Sequence, residues 1–366
     1  MAPQNTRPRA RDIDISIGVL PPGPLNSLTD VPGVKVGHVS LIKGEGKLLL
    51  GKGPVRTGVT AILPHGGNIF TEKACAAAHI INGFGKSVGL PQIMELGNIE
   101  TPIMLTNTLS TWTVADALVD HLSKQNPGVY SFNPVVGECN DSALNDILGR
   151  HVRHEHVFQA LQNASETNIE EGNVGAGVGM TGFGWKGGIG TASRSLPEDL
   201  GEFTLGALVL TNTGKAPDLS IDGIPIGHEL TPNSHSRMEG SIMIIIATNA
   251  PLSTRQLGRV AKRAAFGLAR TGAIAAHTSG DFVIAFSTGN LTSASGKQSA
   301  TPNELVPEPR LSSLFRAAIE ATEEAIINSL LRAETMVGRD NTTRIGIPID
   351  RVMSTIAKYR RKSDNQ

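Results

Sequence analysis

The sequence predicts an α+β fold in which layers of helices cover stacked β-sheets. Five short runs, residues 58–63, 101–105, 205–210, 241–247 and 281–286, are apolar at nearly every position, as strands buried on both faces are. Segments with helical spacing lie between them, and no change of composition along the 366 residues separates two independent domains. Forty-one glycines and only 4% aromatic residues imply many tight turns and a core of Ile, Val, Leu and Ala rather than rings.

In chain order, the strand at 58–63 is followed by an alanine-rich amphipathic segment, 71–81, predicted as a helix. The strand at 101–105 leads to a helix over 111–124 with Ser110 as its cap, and shorter helices are predicted over 141–149 and 152–162. From Ser241 onward the chain reads strand, helix, strand, loop, helix. Ser253, Thr254, Arg255 and Gln256 have the Ser-x-x-Gln form of a capping box and open a helix to about Arg270, while residues 311–333 carry apolar side chains at helical spacing. The polar stretch 292–309 is the longest irregular connection. Neither 241–247 nor 281–286 has a polar face, so both are expected at the centre of a sheet covered on each side.

Thirty-three basic and thirty-three acidic side chains give no net charge, which disfavours nucleic acid and anionic membranes as partners. No apolar run has the length of a membrane span, and the basic start, closed by Asp12 and Asp14, lacks the apolar segment of a leader, so a soluble cytoplasmic protein is expected. The two cysteines, Cys75 in an apolar helix-like run and Cys139 in a polar turn, are expected as free thiols.

Chemistry concentrates at a few points. Arg237, Met238 and Glu239 pass through Gly240 and Ser241 straight into a buried strand. Cutting the Gly240–Ser241 bond would give Ser241 a free α-amine beside its own hydroxyl, a nucleophile and a base of pKa about 7.7 to 8.0 on one residue. Gly and Ser are also ordinary punctuation where a loop enters a strand. Glu138, between Val135-Val136 and a polar turn, can serve a helix start or bind an ammonium in a partly apolar cleft. Asn212, at the end of a strand, offers an amide donor to an oxyanion or simply makes a turn. Ser279 and Asp281, two residues apart, would share one face of a strand and could orient protons beside a nucleophile, or mark a turn.

Two other patterns point away from cofactors. Gly177, Gly179 and Gly182 match Gly-x-Gly-x-x-Gly, but the run continues through Gly184, Gly187, Gly188 and Gly190, which no stable helix tolerates, so backbone approach fits better than a dinucleotide site. His151, His154 and His156 around Glu155 lack the His-Glu-x-x-His spacing, and a solvated helix face accounts for them. No metal or other cofactor is called for.

Together these pieces resemble the DmpA and BapA group of L-aminopeptidase D-amidase/D-esterases and β-peptidyl aminopeptidases. The resemblance runs from Leu28-Thr29-Asp30-Val31-Pro32-Gly33 through Asn82-Gly83-Phe84-Gly85-Lys86 and the block around Glu138. It continues in Lys186-Gly187-Gly188-Ile189-Gly190-Thr191, Gly240-Ser241, Ser279-Gly280-Asp281 and Gly338-Arg339-Asp340, in the family's order. It implies a four-layer αββα sandwich of the DmpA/ornithine acetyltransferase type, related to N-terminal nucleophile hydrolases. It also implies self-cleavage into an α chain, residues 1–240, and a β chain, residues 241–366, which stay one folded unit and assemble as homo-oligomers, commonly tetramers. By position, the resemblance makes Ser241 the nucleophile with its α-amine as base, Ser279 and Asp281 its neighbours, Asn212 the oxyanion donor and Glu138 the holder of the substrate amine. The implied activity removes one N-terminal residue, a small L-, D- or β-amino acid, from peptides, amides or esters with a free amine. An acyltransferase similar to ornithine acetyltransferase, which uses a threonine nucleophile, and an uncleaved binding protein are the alternatives.

Overall fold

A computed structural model describes residues 6–232, 240–293 and 304–363. The chain runs through β1 (Lys35–Lys43), β2 (Val55–Leu63), the long β3 (Glu72–Gly83), α1 (Leu90–Leu96), β4 (Asn98–Ile99), β5 (Ile103–Asn107), α2 (Thr111–Gln125), β6 (Val135–Cys139) and α3 (His154–Gln162). A small ribbon, β7 (Thr181–Gly182) and β8 (Trp185–Lys186), leads to β9 (Gly188–Ser195), β10 (Thr204–Asn212) and the single turn α4 (Ile226–Glu229). Then follow β11 (Ser241–Thr248), α5 (Thr254–Arg270), β12 (Gly280–Ser293), α6 (Leu311–Leu331), a second ribbon of β13 (Met336–Val337) and β14 (Thr343–Arg344), and α7 (Ile349–Ser363).

Two sheets carry the fold, one ordered β1-β2-β5-β6 and the other β4-β3-β12-β11-β10-β9. Side chains alternate across a strand, so an all-apolar run must serve two cores at once. In β11, Met243 and Ile245 pack between the sheets with Ile62, Leu105, Val135, Leu210 and Ile284. Ile242, Ile244 and Ile246 point the other way, into a layer with Val260 and Ala264 of α5 and Ala321 and Ala325 of α6. The outer face of the four-stranded sheet, with Val59, Ala61, Met104 and Val136, is covered by Val114 and Leu118 of α2 and by Val157 and Ala160 of α3. The result is four layers, helix, sheet, sheet, helix, as the resemblance implies.

Helical crossovers set the strand directions. α5 joins β11 to its parallel neighbour β12, and α2 joins β5 to parallel β6. The predicted Ser253 capping box is formed in both directions, with Ser253 Oγ accepting from Gln256 N at 3.3 Å and Gln256 Oε1 accepting from Ser253 N at 3.0 Å. Among the described residues no helix is long and apolar enough to cross a membrane.

Several expectations are corrected. The alanine-rich segment 71–81 is not a helix but most of β3, paired antiparallel with β12. Alanine favours helices in isolation, but here Ala74 and Ala76 fill the space between the sheets while Ala77 faces the α5 layer, and pairing on a crowded sheet outweighs propensity. Residues 141–149 form turns and one 3-10 turn, Ile147–Gly149, whose Gly149 N donates to Asp146; Asn and Asp side chains bonding nearby backbone compete with a helix there. The helix expected over 152–162 begins at His154. Cys139 ends β6, fully buried, rather than lying in a polar turn, and Cys75 sits on β3; both are free. Residues 237–239 before the Gly240–Ser241 junction, and residues 294–303 of the long connection, lie outside the described residues.

Candidate active site

Strand order gathers the predicted residues. β10 runs antiparallel to β11, so the end of one meets the start of the other, and the register pairs Asn212 with Ser241. β12 is parallel to β11 and starts beside it, pairing Asp281 with Ile242. Three residues far apart in sequence therefore meet at one end of three adjacent central strands.

Local contacts fix each group. Ser241 Oγ accepts from Gly280 N at 3.0 Å. Asp281, fully buried, accepts from Ile242 N at 3.1 Å through Oδ1 and from the Ser279 hydroxyl through Oδ2. The pairing of Ser279 with Asp281 realises the spacing seen in the sequence, although Ser279 stands just before β12. Burial pushes the Asp281 carboxyl up to about 6, against the pull of its hydrogen bonds from Ser279 and Ile242. Ala276 O, 2.7 Å from Ser279 Oγ, competes with Asp281 for the one hydroxyl proton, and Asn82 Nδ2 donates to the Ser279 carbonyl at 2.5 Å. Among the described residues, no hydrogen bond joins Asp281 to Ser241 Oγ.

Asn212 has a fixed amide orientation, because Thr181 N donates to Oδ1 at 2.8 Å and Nδ2 donates to Asn140 O at 3.1 Å. An amide nitrogen carries two hydrogens, so a second donor direction remains. Gly240 permits no side chain: an added Cβ would lie 1.5 Å from the Asn212 carbonyl oxygen. Glu138, register partner of Thr106 across β5 and β6, is only 3% exposed. Its Oε1 accepts from Lys86 N at 2.8 Å and its Oε2 from the Thr108 hydroxyl.

These groups meet in a pocket of about 350 Å³ whose wall includes Phe84, Glu138, Asn212, Gly240, Ser241 and Arg344. Ser279 and Asp281 lie behind Ser241 rather than in this wall. A serine hydroxyl, an amide donor and a buried carboxylate in one small cavity suit attack on a carbonyl carbon of a substrate bearing an ammonium.

The sequence reading missed other charged groups here. Lys186, fully buried, donates through Nζ to the carbonyls of Gly177 at 3.0 Å and Gly187 at 2.6 Å; burial pushes its pKa down to about 7, opposed by nearby Asp141. Asp141 is likewise buried, its carboxyl pushed up to about 7, and accepts from Asn145 Nδ2 at 3.0 Å. A lysine inside a glycine run was the one available signal for the first; Asp141 and Arg344 carry no local signature. The glycine run itself forms a 3-10 turn, Gly175–Gly179, wedged against β2, where a Cβ on Gly179 would meet Arg56 O at 2.3 Å. His151 turns to Asp146 and His154 to Asp116 and Asp120, so these imidazoles do not converge.

Comparison with known proteins agrees with this architecture. The sequence profile of Peptidase family S58 matches residues 26–344. The chain is 43% identical, over 97% of its length and 93% of the relative's, to the β-peptidyl aminopeptidase BapA of Sphingosinicella microcystinivorans. Among solved structures it superposes on the PH0078 protein from Pyrococcus horikoshii OT3 with a TM-score of 0.91 and 53% identity, covering 96% of this chain and 99% of that one. It superposes on the L-aminopeptidase D-Ala-esterase/amidase of Ochrobactrum anthropi, described as a prototype serine aminopeptidase and a new variant of the Ntn hydrolase fold, with a TM-score of 0.89 and 36% identity, covering 97% and 99%. The four-layer fold is that variant.

Proposed function

Because this chain belongs to peptidase family S58, we propose that it is a self-processing serine aminopeptidase that removes one N-terminal residue through an acyl-enzyme on Ser241. The observation that carries the reading is the convergence of Ser241, Asn212 and Glu138 on one pocket, with Asp281 and Ser279 directly behind the nucleophile.

In maturation the Ser241 hydroxyl attacks the Gly240 carbonyl; the peptide bond breaks as an ester forms, and the proton passes to the departing Ser241 nitrogen. Water then opens the ester, leaving Gly240 as a carboxyl terminus and Ser241 with a free amine. Gly240 suits this step because a Cβ would collide with the backbone at Asn212.

In turnover the new amine takes the Ser241 proton as its oxygen attacks the first amide of a substrate, and then gives it to the leaving amine; water hydrolyses the resulting ester, releasing the removed residue as its carboxylic acid and restoring the Ser241 hydroxyl. The free hydrogen of Asn212 Nδ2 stabilises the tetrahedral oxyanion, a contribution of about 2.7 to 4 kcal/mol for such a donor in a comparable hydrolase. The Ile242 amide and the Ser279 hydroxyl, both held by Asp281, keep the start of β11 in place. Glu138 fixes the substrate ammonium, which limits removal to a single residue and excludes blocked peptides. Small L-residues, D-residue amides and esters, and β-residues all meet these requirements.

Ser241→Ala tests the proposal. The variant is expected to run as one full-length chain on denaturing electrophoresis and to hydrolyse no aminoacyl p-nitroanilide; a cut, active Ser241→Ala protein contradicts it.

A further inference from the structure

Three charged residues stand in the pocket wall: Glu138, Lys86 and Arg344. The anion has an assigned task above, and the two cations do not. Lys86 is exposed, and its ammonium is already occupied, donating to Phe84 O at 3.2 Å and lying 4.3 Å from the centre of the Phe84 ring. Arg344 differs. It is half-buried, its Nε is shielded from solvent with no hydrogen-bond partner, and its Nη1 donates only over a long distance, to Thr343 O at 3.3 Å. No acidic residue pairs with it among the described residues, and burial alone lowers its pKa. A partly desolvated guanidinium with an unpartnered Nε gains by pairing, and an anionic group of a ligand in the pocket would supply the partner.

The surroundings hold Arg344 firmly. Its ribbon is tied to the loop after Glu138 by Arg339 N donating to Leu144 O at 2.9 Å, and to β8 by Lys186 N donating to Ile345 O at 2.8 Å. Glu138 stands on β6 and Arg344 on β14, so one cavity presents an acceptor for an ammonium and a donor for an anion from separate elements. At about 350 Å³ the cavity lies at the small end of ligand sites.

We infer that Arg344 is a specificity-determining residue that binds a carboxylate on the leaving-group side of the scissile bond, so that short peptides with a free C-terminus, dipeptides foremost, are preferred over amides and esters. The inference rests on the aminopeptidase reading: with the substrate ammonium at Glu138 and its first carbonyl at Ser241, the remaining charge complement falls beyond the cleaved bond. An arginine fork can take both carboxylate oxygens, a contact an amide terminus cannot reproduce.

The test compares kcat/KM for β-alanyl-L-alanine and L-alanyl-L-alanine, each against its C-terminal amide, in the wild type, Arg344→Met, Arg344→Lys and Lys86→Met. The wild type is expected to favour the free acid by about tenfold or more. That ratio should fall toward one in Arg344→Met, recover in part in Arg344→Lys, and survive in Lys86→Met. Equal rates on acid and amide in the wild type, a ratio that survives Arg344→Met, or one lost in Lys86→Met overturns the carboxylate site while leaving the aminopeptidase reading in place. Hydrolysis of none of the four compounds overturns both.

Discussion

Glu138 is a buried carboxylate that accepts from two donors, Lys86 N and the Thr108 hydroxyl, yet a carboxylate accepts about four hydrogen bonds. The remaining capacity is what a substrate ammonium would use. Glu138→Gln should keep the shape and the chain cut but raise KM by roughly 10- to 100-fold, as loss of a charge-assisted contact does; an unchanged KM contradicts the assignment. Asn212→Ala should leave KM nearly constant and lower kcat by about 100- to 1000-fold, the signature of a donor used only in the transition state. At this scale the sequence was informative because each site residue sits beside a local sign: a glycine before a serine, an acid after two valines, an asparagine closing a strand. Arg344 and Asp141 have no such sign. Arg344 reaches the pocket wall through contacts between segments roughly two hundred residues apart, which no local pattern records.

The ends of β10, β11 and β12 form one unit, and Asp281 couples it to pH. Its folded carboxyl titrates at about 6, above the ordinary value of 3.8, so between those values the folded state binds more protons than the unfolded one. Its contribution to stability is therefore fully present below about 4 and is lost as pH rises through about 6. The melting temperature of the wild type relative to Asp281→Asn should fall across that window; a flat difference contradicts the buried, titrating carboxylate. Activity is expected to rise with pH across the same window, because the ionised carboxylate accepts both from Ile242 N and from Ser279, and a kcat that is flat from pH 4 to 7 contradicts that role. The elements themselves were legible where pattern and packing agree: the runs at 241–247 and 281–286 are central strands, and the Ser253 cap opens α5. They were not legible where packing prevails. β3 is rich in alanine because small side chains fit its crowded faces, and α7, beginning just after Pro348, follows a stretch with no cap signal in the sequence.

Across the whole molecule the two proposed chains interleave. β11 and β12 lie between β10 and β3, so strands of residues 241–366 are hydrogen-bonded on both sides to strands of residues 1–240. α6 lies on the same sheet, and a Cβ on Gly190 of β9 would meet Ala325 O at 2.0 Å, so helix and strand backbones are in close contact. Such a structure does not depend on the peptide bond at its seam: after cutting, both pieces should elute together under native conditions and separate only in denaturant. The intact mass of the active protein, measured under denaturing conditions, tests the central claim most directly. The account predicts two polypeptides, one ending at Gly240 and one beginning with Ser241; a single uncut chain in a preparation that hydrolyses aminoacyl substrates would contradict it.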